Sequence, residues 1–314
     1  RLGLRDFRLS GVALEGEAKA RYAEVSARLS ELSAQFADHV LDATQAWVYP
    51  LSEAELDGLP DSALGLLRQL GQQKGFSQPV ATLDGPAYLA VMTHARNRAL
   101  RETVYHAYAT RASELGAAAQ DNSALMTGIL ALRQEMADLL GFANYAELSL
   151  ASKMADSPAQ VEAFLQDLAR HARPAAERDL ALLQQEGQRH GLDTLQPWDV
   201  TFLAERLRER EYNLSQEALR PYFPLPVVLR GLFAIAQRLY GLSIQQKTAP
   251  VWAEGVQYFE IEEHGQVLGG FYLDLYAREG KRGGAWMSGY RSRRQFGTDL
   301  QKPLAFMVGN FAPP

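Results

Sequence analysis

The chain has 314 residues, 47% of them hydrophobic and 22% charged, with a formal charge of −5. This is an ordinary composition for a soluble globular chain of one large or two average domains, and its acidic balance argues against a general nucleic-acid binder. Cysteine is absent, which excludes disulfides, thiolate metal sites and thiol nucleophiles and fits a cytoplasmic location.

No run of eighteen apolar residues is present, so no membrane-spanning helix is expected. The opening, Arg1 to Asp6, has no signal-peptide core. It also lacks an initiator Met, so the natural N-terminus is expected to have been removed or to lie upstream.

Residues 6 to 14 read as a short lead. From Glu15 to Leu41, Tyr22, Val25, Leu29, Leu32, Phe36 and Val40 recur at three- and four-residue steps, which predicts a helix. Trp47 to Pro50 is a brief extended piece. Helices are predicted over Ala63–Gln73, from Gly85-Pro86 to the break at Ala95-Arg96-Asn97, over Ala99–Arg111, and from Ser123 to Leu140 with Gly141 as stop. Tyr145–Lys153 follows. Ser157-Pro158 is a strong start, a capping serine before a proline at the first helical position, for a helix reaching Gln188. Further helices begin at Gln196-Pro197-Trp198-Asp199 and at Val227, the latter running to Tyr240.

The texture changes after Thr248. Tyr258–Ile261 and Val267–Tyr276 read as strands around a turn at Glu263-His264-Gly265, and Ala285–Met287 and Leu304–Val308 as two more. The expectation is a mainly α chain: a helical region over 1–248, and a small β-sheet region over 249–314. No linker separates them, so one continuous architecture is expected.

Several chemistries lack their residues. A zinc peptidase of the commonest pattern needs two histidines at i and i+4 with a glutamate beside the first. The six histidines, His39, His94, His106, His171, His190 and His264, contain no such pair. No catalytic residue and no metal ligand is therefore assigned. These histidines read as surface or packing residues, with His106 as a partly buried helix residue. There is no Gly-x-Ser-x-Gly elbow, and Gly265 to Gly270 lacks the ending of a phosphate loop. Tyr290-Arg291-Ser292-Arg293-Arg294 is the one local basic cluster. It reads first as a solvated loop and second as a rim attracting a peptide carboxylate, because guanidinium pairs well with carboxylate.

The stretch from Phe271 to Tyr276, followed by Arg278-Glu279-Gly280-Lys281, resembles the thimet oligopeptidase family of zinc metallopeptidases. The likeness continues in order through Arg133 to Tyr145, Gln196 to Asp199, Leu219 to Pro224, Gly231 to Phe233, Val251-Trp252, and Leu300 to Phe311. The resemblance implies a mainly helical, multi-helical lobe forming one wall of a channel that admits short peptides. It implies zinc as cofactor of the intact enzyme, with none bound by this chain. It also implies that the sheet's edge strand holds a substrate backbone, which places Gly283, Gly284, Ala285 and Trp286 at the substrate. Gly280 to Gly284 would be a flexible element beside the cleft, and Asp274, Tyr276 and Arg278 would fix sheet and loop by hydrogen bonds.

The family's zinc motif would follow Asn310-Phe311, so the expectation is an internal fragment, catalytically incomplete alone. Its expected partners are short peptides, the missing C-terminal half, or a second copy through an exposed face, with neither nucleic acid nor membrane. The alternative is a non-catalytic helical module that binds peptides or another protein.

Overall fold

The computed structural model describes residues 2–312. In chain order the elements are α1 (Leu2–Leu9), α2 (Gly16–Ala46), β1 (Val48–Pro50), α3 (Asp61–Gln73), β2 (Val80–Thr82), α4 (Gly85–His94), α5 (Arg98–Ala109), α6 (Ser123–Leu139), α7 (Tyr145–Leu150), α8 (Pro158–Arg189), α9 (Pro197–Tyr212), α10 (Gln216–Leu219) and α11 (Leu225–Tyr240). Then come β3 (Ser243–Lys247), β4 (Gln257–Glu263), β5 (Gln266–Tyr276), β6 (Trp286–Arg291), β7 (Arg294–Phe296), β8 (Asp299–Gln301) and β9 (Leu304–Phe311). The chain is mainly α with a small sheet near the end of the sequence.

Contacts group these elements into two compact units, one made of residues 1–46 and 106–195, the other of 47–105 and 196–314. The expected division at residue 248 follows secondary-structure content. The units follow contacts, so residues 47–105 and the helices after 196 fall in the same unit as the sheet.

In the first unit α2 packs along α6. Val25 and Leu32 of α2 are buried, and Gly128 of α6 leaves room for the Leu32 methyl. Arg21 straddles Glu135 with two nitrogens, at 2.5 and 2.9 Å. Asn122, 1% exposed, donates to the Phe36 carbonyl at 3.1 Å and accepts from His39 Nδ1 at 2.9 Å, so this buried amide is satisfied on both sides. α8 starts as predicted: Ser157 Oγ accepts from the Gln160 amide at 3.2 Å. His106 differs from its expectation and is exposed. It follows the buried Val104 by two residues, which at helical spacing turns it to the opposite side of α5.

In the second unit α3, α4 and α5 form an apolar cluster around Leu67, Val91, Met92 and Leu100. The fully buried side chains contribute roughly 1.5–3 kcal/mol each. Asp199, fully buried at the start of α9, joins the helices. It accepts from Arg98 Nη2 at 2.7 Å, from Arg101 Nη2 at 2.8 Å and from the Gln196 amide at 3.0 Å. Burial alone would raise its carboxyl, but these donors hold it below the usual carboxylate range.

The sheet has the order β3-β4-β5-β9-β6. β4 and β5 form a hairpin whose turn, His264 and Gly265, has positive φ at both residues (48° and 78°), as a two-residue hairpin turn of this hand requires. β5 and β9 are parallel, while β6 runs antiparallel to β9. One sheet face carries Phe259, Phe271 and Leu273, on which Leu229 and Phe233 of α11 pack. Close to the start of β9 one glycine of β5 is needed. A Cβ on Gly269 would stand 3.0 Å from the Pro303 carbonyl oxygen, inside van der Waals contact.

β1 falls on the extended piece expected at Trp47 to Pro50, while its partner β2, the polar strand β3 and the hairpin β7–β8 go beyond the strands that the sequence predicts. Three-residue strands carry too little alternation to show a period of two.

Candidate functional site

The site is built at the end of β5, where the chain leaves the sheet for the loop 277–285. Asp274 is 5% exposed and receives four side-chain hydrogen bonds. Arg278 Nη1 and Nη2 donate to its two oxygens at 2.6 and 2.8 Å. Lys281 Nζ donates to Oδ1 at 2.8 Å, and Trp252 Nε1 to Oδ2 at 3.0 Å. Lys281 Nζ also reaches the carbonyls of Asp274 and Tyr276 at 2.9 and 2.7 Å. Burial pushes the Asp274 carboxyl up, yet the donated hydrogen bonds and the ammonium charge outweigh it and bring the pKa down to about 2. The side chain is therefore a fixed anion holding two cations of the loop, unsuited to proton transfer near neutrality.

The far end of the loop is fixed separately. Asn310 Nδ2, on β9, donates to the carbonyls of Arg282 (3.1 Å) and Gly284. Lys74 at the end of α3 meets Glu279 at 3.3 Å. Gly280 and Gly284 have φ of +75° and +105°, which L side chains rarely adopt, so the loop's path depends on glycine there. Of the four residues expected at a substrate, Gly283, Gly284 and Ala285 lie on this loop and Trp286 opens β6; all four are exposed. A shallow cleft of about 360 Å³ brings Trp286 together with Trp252, Asp274, Lys281 and Phe306.

β6 is one of the two edges of the sheet, β3 being the other. It pairs with β9 on one side and with no strand on the other among the described residues, and all six of its residues are exposed. Such an edge offers a row of free backbone donors and acceptors to an extended peptide. Beside it lies an aromatic row across the sheet. Tyr258 meets Tyr272 at 4.9 Å between ring centres, Tyr272 meets Phe306 at 5.6 Å, and Phe306 meets Tyr290 at 5.7 Å, with Trp252 over Phe306 at 5.4 Å.

The Asp274–Arg278 pair is legible in the sequence. The parts played by Lys281, Trp252 and Asn310 are not, because each acts across a turn or between strands whose register the sequence does not show.

A second concavity, of about 930 Å³, is lined by α3, α4, residues 219–223 and the end of β9. Its histidine, His94, is pushed down by burial and by the nearby Arg206 charge, so it is neutral at pH 7. Among the described residues no group of three or more His, Cys, Asp or Glu side chains could hold a metal ion. These residues do not fit a zinc centre, and no chemical step is assigned through one. No single helix among them is long and apolar enough to cross a membrane.

Comparison with known proteins agrees with the resemblance. The profile described as peptidase family M3 matches residues 91–314. Oligopeptidase A of Escherichia coli is 48% identical over 318 residues, covering 99% of this chain and 47% of its own length. The organellar oligopeptidase A of Arabidopsis thaliana is 42% identical over 98% of this chain and 41% of its own length. The dipeptidyl carboxypeptidase of E. coli is 31% identical over 98% and 46%. The chain thus spans about half the length of the curated relatives it matches.

Proposed function

We propose, starting from the fact that this chain belongs to peptidase family M3, that it is the substrate-holding part of a hydrolase acting on short peptides. The observation that carries this reading is the unpaired edge of β6, reached through a glycine loop tied at both ends. A peptide laid along β6 would become the next strand of the sheet, its backbone bonded to the free edge and alternate side chains standing over the aromatic row. Trp286, at the first position of β6, would line the approach, and Gly283 and Gly284 would let a second backbone come close. Asp274 and its two cations would serve as positioning groups.

The wider reading, by resemblance, is a zinc-dependent metalloendopeptidase in the cytoplasm, whose metal would supply Lewis-acid chemistry at the scissile bond when bound. In that reading β6 supplies the binding strand, and the metal centre lies outside residues 2–312. The 314-residue chain on its own is therefore expected to bind peptide, to retain no zinc and to hydrolyse no quenched-fluorescent peptide with or without added zinc.

Binding can be read by anisotropy of a fluorescein-labelled ten-residue peptide, against the same peptide N-methylated at every second residue. N-methylation removes the amide protons a strand pairing needs and should weaken binding at least tenfold. Equal binding of both peptides would overturn the edge-strand reading, and zinc-dependent turnover would overturn the assignment of the metal centre elsewhere.

A further inference from the structure

We infer that the β6 edge selects peptides carrying a carboxylate, received by Arg291, Arg293 and Arg294 at the end of the strand. The inference rests on the edge-strand reading above and adds the chemistry of what is selected.

From Trp286 to Lys302 the sequence holds four basic residues, Arg291, Arg293, Arg294 and Lys302, against one acidic residue, Asp299. A local excess of positive charge thus sits in a chain whose formal charge is −5. All three arginines are exposed, and among the described residues none is ion-paired to a carboxylate. Elsewhere this chain commonly pairs its arginines. Arg21, Arg98, Arg101, Arg173 and Arg278 each bond an acidic side chain. Arg294 instead lies 4.3 Å from the Phe296 ring centre, which leaves its fork free for an anion.

The strand geometry joins this cluster to the peptide's path. The register of β6 on β9 shifts between Gly289 and Arg291, so Arg291 pairs with Leu304. That puts Arg291 on the face that also carries Phe306, two residues along β9. A peptide added to β6 therefore has aromatic surface beside its middle and unpaired guanidinium groups at one end. The complementary ligand is a short extended peptide with apolar side chains at alternate positions and a carboxylate at the Arg291 end. That carboxylate is either the C-terminus or an Asp or Glu side chain.

The test uses three fluorescein-labelled ten-residue peptides of one alternating apolar sequence, titrated with the 314-residue chain in low salt. The first has a free C-terminal carboxylate, the second a C-terminal amide, and the third an amide with one terminal Asp. Two or three exposed guanidinium contacts give an expected preference of roughly fivefold to tenfold over the neutral amide. Preference for the first peptide alone assigns the C-terminus, and preference for the third alone assigns a side chain. The double variant Arg293→Glu with Arg294→Glu should abolish or invert the preference while far-UV circular dichroism stays unchanged. Equal binding of all three peptides, or a preference that survives the double variant, overturns the carboxylate inference and leaves the edge strand standing. Failure of all three to bind overturns both.

Discussion

Asp274 is the residue on which the site turns. Its side chain is 7% exposed and its partner Lys281 5% exposed, so removing the anion would leave a buried ammonium without a counter-charge. Asp274→Asn should cost about 3–5 kcal/mol, read as a lower urea midpoint. The pH dependence follows from the same contacts. The carboxyl titrates at about 2 instead of 3.8, so its contribution is present above pH ~4 and is lost as pH falls toward 2, a loss of about 2 kcal/mol. The Asn variant should lack this segment of the stability–pH curve, and a variant curve parallel to the native one would show that another group is responsible. The sequence exposes half of this arrangement. Asp274 and Arg278 are four residues apart at a strand end and visibly able to pair. Trp252 and Asn310 are 22 and 36 residues from Asp274, and only the folded sheet brings them to the same loop.

At the scale of elements, helices are legible because their signals are local. Ser157-Pro158, Gln196-Pro197 and Gly141 each mark an end by chemistry contained within a few residues. Strands are legible where they are long and apolar, as in β5, and hidden where they are short or polar. β3 is Ser-Ile-Gln-Gln-Lys, an edge strand with little to bury. α8 shows what local signals leave out. It continues through Pro174, which gives up a backbone hydrogen bond and costs up to about 3 kcal/mol in a helix interior. Pro174→Ala should therefore slow amide exchange in the middle of α8 by tenfold or more. Exchange at unchanged rates would show that the proline's cost is already relieved there.

Viewed whole, each unit keeps apolar surface in water. In the first, Phe164, Leu165 and Leu168 of α8 are 62%, 56% and 49% exposed. In the second, α11 lays Leu229 and Phe233 on the sheet. It leaves Val228, Leu232, Ile235 and Leu239, spaced by four, three and four residues, at 42%, 51%, 58% and 67%. That spacing makes one continuous stripe, and exposed stripes of this size favour association. The isolated chain should sediment as a concentration-dependent oligomer, and Leu232→Glu with Ile235→Glu should shift it toward monomer. A native chain that sediments as a monomer at about 100 μM would refute this.

The order of strands, β5-β9-β6, bears on how the molecule is born. β9 is the last of these strands to leave a ribosome, yet it occupies the position between two earlier ones. Until residues 304–311 emerge, β5 keeps a bare edge, β6 has no neighbour to pair with, and the Asn310 tie to the loop does not exist. The nascent chain therefore carries an open sheet through the whole synthesis of β6 and of the segment up to β9. Closing the sheet and giving β6 its neighbour are one event, and until then the bare edge of β5 is open to any extended chain, so the nascent unit is most prone to mispairing just before β9 emerges.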